Sequence, residues 1–232
     1  MGLRARDPRS AKVLVTVVTG RHYQDLHEIT NPWFDRFADR HGYERLIIDQ
    51  DCGEQVAADN WLKVRGLLDA LDTGADYALV TDVDMILTDA CPDPATLLEQ
   101  AGAWQALAYE AAQHGFTTSL WAVASTSRTR QFLEMLWCDR GTRYGQCGYE
   151  GAAARWLLND PPGYLDVHPA EWWHGTMVLP GRWCHRVPDP AGVPSDAYAL
   201  HVPYPRGVND GDAQRLADLR HACDLASWAR RQ

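Results

Sequence analysis

Two aspartates one residue apart, Asp82 and Asp84, follow the apolar run YALVT (Tyr77–Thr81) in the stretch YALVTDVDMILTD. Like charges this close repel, and each costs free energy to desolvate. In a strand the side chains at i and i+2 share a face, roughly 7 Å apart at Cα. Both carboxylates at a strand end can therefore reach one hard cation or its bound water. Mg2+ and Mn2+ favour oxygen ligands and commonly bridge a protein carboxylate to substrate phosphates. The plainer alternative is a solvated turn, where Asp is frequent.

Other residues suit the same chemistry. His201, in YALHVPYP, offers an imidazole to Mn2+ or a similar ion, although a lone histidine is more often structural. Lys63 lies between apolar Trp61 and Val64 and could meet an anion near the strand ends; the alternative is a solvated helical lysine. Glu150 opens a helix, which dipole preference alone can explain. Trp172, Trp173 and His174 form an aromatic cluster suited either to a sugar face or to the core of a loop.

Positioning these groups requires a scaffold. KVLVTVVTG (Lys12–Gly20) reads as a buried strand ending at a Thr-Gly turn. Tyr23 to His41 has helical spacing, with an interruption expected at Asn31-Pro32. YERLIID (Tyr43–Asp49) reads as a second strand, and NWLKVRGLLDALDTG (Asn60–Gly74) as a helix stopped by Gly74. YALVT is the third strand. This alternation predicts an α/β fold with a parallel sheet and helices on both faces. Ligands of such sheets bind beyond the carboxyl ends of the strands, where Gly20 and Asp82–Asp84 fall. Further on, PDPATLLEQA predicts a short helix, WQALAYE and SLWAVAST two strands, and SRTRQFLEMLWCD a helix capped by Ser125 or Ser127. YEGAAARWLLND (Tyr149–Asp160) predicts another helix. The Pro-, Gly- and Trp-rich stretch Pro161–Pro194 reads as a folded functional loop. A short strand (Tyr198–Pro205) and a closing helix (Asp212–Trp228) follow.

Composition sets bounds. The chain of 232 residues is 46% apolar, enough for a sizeable core. It is expected to form one domain, residues 12–232, after a loose tail, residues 1–11. The net charge of −9 argues against general affinity for nucleic acid or anionic membrane. No apolar run reaches the roughly 20 residues of a membrane span, and the start lacks signal-peptide features. Six cysteines (Cys52, Cys91, Cys138, Cys147, Cys184 and Cys223) form no CxxC pair, so free thiols in a reducing compartment are expected.

Four segments in order carry a resemblance: NPWFDRFADRHGY (Asn31–Tyr43), NWLKVRGLLDAL, VTDVDMILTD, and FLEMLW followed by YEGAAARWLLND. Together they resemble the GT-A glycosyltransferases, and most closely their galactosyl/mannosyl/xylosyltransferase group. The resemblance implies an α/β fold of the Rossmann-like GT-A type, with a mixed, mainly parallel sheet and helices on both faces. It also implies a metal-dependent enzyme that moves a hexosyl or pentosyl group from a UDP- or GDP-sugar to an acceptor hydroxyl, with retention. By position, Asp84 would bind Mn2+ (or Mg2+) directly, and Asp82 would hold the ribose or the metal through water. His201 would be the third metal ligand. Thr19, Gly20, Tyr23, Lys63 and Val83 would contribute to the nucleotide and donor site. Glu150 would position the reacting sugar or stabilise its developing charge. Trp172, Trp173 and His174 would meet a small-molecule or glycan acceptor. Two positions depart from the group: Glu150 is followed by Gly151 where a glutamine is usual, and His201 by VPYP in place of a glycine-cysteine turn. Relatives usually carry a membrane anchor, whereas this chain fits a soluble, bacterial, cytoplasmic enzyme. Two rival readings share the motif. One is a phosphatase of the haloacid dehalogenase type, with Asp82 as nucleophile; the other is a non-catalytic nucleotide-sugar or carbohydrate binder.

Overall fold

The computed structural model describes residues 11–49, 56–110, 115–139, 150–158, 172–187, 193–194, 196–203 and 211–229. The tail expected over residues 1–11 lies outside these except for its last residue, as does most of the first half of the Pro161–Pro194 stretch. In chain order the elements are β1 (Lys12–Val17), α1 (Gly20–His41), β2 (Tyr43–Ile48), α2 (Val56–Asp72), β3 (Tyr77–Thr81) and β4 (Met85–Leu87). Then come α3 (Pro94–Ala101), β5 (Gln105–Glu110), β6 (Gly115–Ala124), α4 (Ser127–Asp139) and α5 (Glu150–Leu158). β7 (Thr176–Leu179), β8 (His185–Arg186), β9 (Ala199–His201) and α6 (Gly211–Ala229) complete the series.

Six strands form one sheet in the order β2-β1-β3-β6-β5-β7, in which β6 alone runs antiparallel to its neighbours. β4, β9 and β8 form a second, three-stranded sheet. The large sheet is apolar on both faces because helices cover both. Val13, Val15, Val80 and Trp121 join a core with Val64 and Leu67 of α2, Phe132 of α4 and Leu157 of α5. The alternate residues Leu14, Leu79 and Leu120 join Phe34 and Phe37 of α1 and Leu98 of α3. Each such side chain contributes about 1.5–3 kcal/mol when fully buried. α2 lies close on the sheet because residue 66 is glycine: a Cβ there would fall 2.6 Å from side-chain atoms of both Val15 and Ile48. A third core joins α1 and α6 to the small sheet through Leu26, Trp33, Ile86, Leu200 and Leu219.

Several details differ from the sequence-based expectation. α1 runs unbroken through Pro32. Proline forfeits one intrahelical bond and strains the preceding turn, which costs about 3 kcal/mol, but Trp33, Phe34 and Phe37 around it are buried. The Thr30 hydroxyl also ties the helix down, donating to the Leu26 and Val83 carbonyls at 3.2 and 2.8 Å. α4 is capped by neither Ser125 nor Ser127: the Thr126 hydroxyl accepts from the Thr129 amide at 3.0 Å. α2 begins at Val56, earlier than Asn60. The second half of the expected loop contains β7 and β8, so it contributes strands to both sheets. Cys91, Cys138, Cys184 and Cys223 are free thiols, while Cys52 and Cys147 lie outside the described residues. Among the described residues no helix is long and apolar enough to cross a membrane.

Candidate active site

β3 ends at Thr81, so Asp82 and Asp84 sit on a turn, not on the strand itself. The Met85 amide donates to the Asp82 carbonyl at 3.1 Å and closes that turn. Strand alternation therefore does not align the two carboxylates; the reversal of the chain into β4 does. The turn is pinned on three sides. The Asp82 amide donates to the Ser119 carbonyl of β6 at 2.9 Å, the Val202 amide donates to the Asp84 carbonyl at 3.0 Å, and Thr30 bonds Val83 as above. Met85 faces His201 across the β4–β9 ladder, which carries the histidine to the acids.

The ligand atoms of Asp82, Asp84 and His201 all lie within 4.8 Å of one another. They border a cavity of about 260 Å3 at the carboxyl end of β1 and β3, which Thr19, Tyr23, Lys63, Val83 and Glu150 also line. Lys63, from α2, donates to Asp82 Oδ1 and, at 2.9 Å, to Glu150 Oε1. Thr118 Oγ1 donates to the same Glu150 oxygen at 2.9 Å. Burial would pull the Lys63 amine down, but the two carboxylates outweigh it and hold the amine above its ordinary range. On the other side, Arg215 of α6 donates to Asp84 Oδ2 at 2.5 Å, and His201 Nε2 lies 3.4 Å from the same oxygen. Burial opposes the charge on Asp84, yet His201 and Arg215 hold its carboxyl below the usual carboxylate range. Burial likewise opposes a proton on His201, but Asp84 and then Cys184 raise the imidazole well above its ordinary value. The far nitrogen, Nδ1, faces Cys184 Sγ at 3.6 Å and Glu110 Oε2 at 3.8 Å. This backing orients Nε2 towards Asp84, as groups behind metal-binding histidines commonly do.

Two buried carboxylate oxygens in this cavity have no hydrogen-bond partner among the described residues: Asp84 Oδ1 and Glu150 Oε2. An unsatisfied buried acceptor costs about 1–3 kcal/mol, more when charged. The donor set fits a hard divalent cation. It comprises two carboxylates and an imidazole in reach of one point, with one oxygen of the more buried carboxylate, Asp84, open.

Not every expected residue joins this group. Gly20 opens α1 with φ of 70° and is exposed, outside the cavity lining. Trp172 packs on Trp104 and Phe132 of the core. His174 is exposed, and its carbonyl accepts from Trp104 Nε1 at 2.8 Å. Of the three, Trp173 lies nearest the cavity: it is 40% exposed and stacks on Phe116, a wall residue, at 5.6 Å. Sequence reasoning passed over Arg215, Arg155, Glu110 and Cys184. Arg215 did leave a signal, since it shares a helical stripe with buried Leu219, Ala222 and Ala226. A cation on an apolar stripe needs a buried anion.

No protein-family model and no curated protein sequence matches this chain. Among solved structures it is similar to a glycosyltransferase involved in the glycosylation of the major capsid of PBCV-1, with a TM-score of 0.65 and 13% identity. The match covers 90% of this chain and 99% of that one. The mixed sheet and its helices have the GT-A type of fold.

Proposed function

We propose that the protein is a glycosyltransferase that takes a sugar from a UDP- or GDP-sugar and passes it to an acceptor hydroxyl, with a bound Mn2+ or Mg2+. The observation that carries this reading is the Asp82–Asp84–His201 group, with Asp84 Oδ1 open, at the carboxyl end of a sheet of this fold. The likeness to a solved glycosyltransferase supports it, as do the sequence motifs.

Asp84 Oδ1, Asp82 and His201 Nε2 would hold the cation. When bound, it offsets the charge that grows on the departing diphosphate. Thr19 and Tyr23 stand beyond β1, where the base and ribose of the nucleotide would lie. Lys63 holds Asp82 and Glu150 in place, so that neither must rearrange at the moment of reaction. Glu150 has one oxygen occupied by Lys63 and Thr118 and the other open. That open oxygen would accept a hydroxyl of the donor sugar and stabilise positive charge developing at the anomeric carbon. Transfer with retention follows from the family resemblance. The exposed face of Trp173 would meet the acceptor.

Incubation with UDP- and GDP-sugars should release nucleoside diphosphate slowly in Mn2+ and not in EDTA. An NMR assignment of the product anomer reports retention. Turnover of p-nitrophenyl phosphate lost in Asp82→Asn, with no sugar-nucleotide turnover, would instead favour the phosphatase. Metal-dependent nucleotide binding without turnover would leave a binder.

A further inference from the structure

Arg215 is the least expected charge in the cavity. It comes from α6, far along the chain from the aspartates, and is only 7% exposed. Its Nη2 holds Asp84 Oδ2, its Nε donates to the Val202 carbonyl at 3.3 Å, and its Nη1 lies 3.1 Å from His22 Nε2. Its guanidinium also lies over the Tyr23 ring at 5.9 Å. Tyr23 lines the same cavity. With Lys63 on Asp82, each aspartate of the pair already has a cation of the protein as partner. A bare divalent ion approaching Asp84 thus meets a guanidinium on the same carboxylate, and like charges repel strongly at such range in a partly dry site. A planar, forked guanidinium also matches phosphate geometry.

We propose that Arg215 is a positioning residue that makes cation and nucleoside diphosphate bind as a pair. It weakens binding of the cation alone by sharing Asp84, and it strengthens binding of the diphosphate by presenting a guanidinium beside the cation. The inference rests on reading the cavity as a nucleoside diphosphate site. It predicts effects of opposite sign from one substitution, which loss of a merely structural contact would not give.

The test is titration of the full-length protein with Mn2+ alone, followed by the free-Mn2+ paramagnetic resonance signal, and with UDP and GDP at fixed Mn2+, followed by calorimetry. Arg215→Met should bind Mn2+ alone about tenfold more tightly and the nucleotide about tenfold more weakly. Those changes correspond to about 1.4 kcal/mol each way. Arg215→Gln, which keeps a polar head group for the Val202 carbonyl, should give the same pair of shifts if the methionine variant does not fold. Arg215→Lys should keep Mn2+ binding alone near the wild-type level. Parallel loss of both affinities in a folded variant, or no change in either, would overturn the proposal while leaving the proposed function intact. Failure of the wild type to bind either nucleotide with Mn2+ would overturn both.

Discussion

The two ends of the large sheet each hold charged side chains beside a cavity, and they differ in how completely that charge is satisfied. At the amino end of β1, a cavity of about 420 Å3 is bordered by Lys12, Tyr77 and Asp93. Asp93 accepts from Lys12 Nζ at 2.8 Å, Tyr43 Oη at 2.7 Å, the Ala95 amide at 3.0 Å and Thr96 Oγ1 at 3.2 Å. Both of its oxygens are engaged, and it caps α3 with Pro94 as the first helical residue. At the carboxyl end, Asp84 Oδ1 and Glu150 Oε2 are buried with no partner among the described residues. A closed network stabilises the fold. An open one stores unsatisfied charge that a ligand can relieve. Satisfaction of the carboxylates separates the candidate site from a structural cluster.

This contrast can be broken in several ways. The largest effect is expected at Glu150. Glu150→Gln keeps the side-chain shape but removes the charge; sugar-nucleotide turnover should fall about 10²–10³-fold, the range for loss of one electrostatic stabiliser, with nucleotide affinity little changed in calorimetry. Equal loss of affinity would make Glu150 a binding residue instead. Next, Asp84→Asn should weaken Mn2+-dependent nucleotide binding by at least about 100-fold, beyond what loss of a supporting residue costs. Binding kept within a few-fold would remove Asp84 from the site.

A smaller effect concerns pH. In the metal-free protein His201 keeps its proton to higher pH than an ordinary imidazole, through Asp84. A metal ligand must be neutral, so cation entry expels that proton. Metal-dependent nucleotide affinity should therefore rise with pH, by up to about tenfold per unit below the His201 pKa, and fall in acid. A flat profile from pH 6 to 8 would speak against His201 as a ligand. Asp93 should also lose its contribution in acid, but in stability and not in binding. Burial would raise its carboxyl, but Lys12 and Tyr43 lower it. Its contribution is thus present above the unfolded-state pKa and lost as pH falls through the folded one. Asp93→Asn should cost about 1–3 kcal/mol in denaturant unfolding at neutral pH. Nucleotide affinity should remain within about twofold, since the sites are distant. Loss of affinity there would erase the distinction between the two ends.

How much of this was legible in the sequence follows from range. β1, α2 and β3 are written in local periodicity, and burial on both faces explains their continuous apolar runs. The pair Asp82–Asp84 stood out by residue type at a strand end. The turn that aligns the pair did not, because the partners that fix it, Ser119, Thr30 and Val202, lie far away in sequence. β4 and β9 have three residues each, too few to show a pattern. Arg215 and Glu110 are likewise long-range partners: nothing local to α6 or β5 names the groups they face. Trp172 and Trp173 are neighbours of the same residue type, and only packing shows one against the core and the other on the surface.

The central claim is that the carboxyl-end cavity takes a nucleoside diphosphate together with a divalent cation. It is tested most directly by calorimetric titration of UDP and GDP into the wild-type protein, in Mn2+ and again in EDTA. Saturable binding of at least one nucleotide that is present in Mn2+ and lost in EDTA is the predicted result. Absence of binding by both nucleotides in Mn2+, or binding that EDTA leaves unchanged, would contradict it.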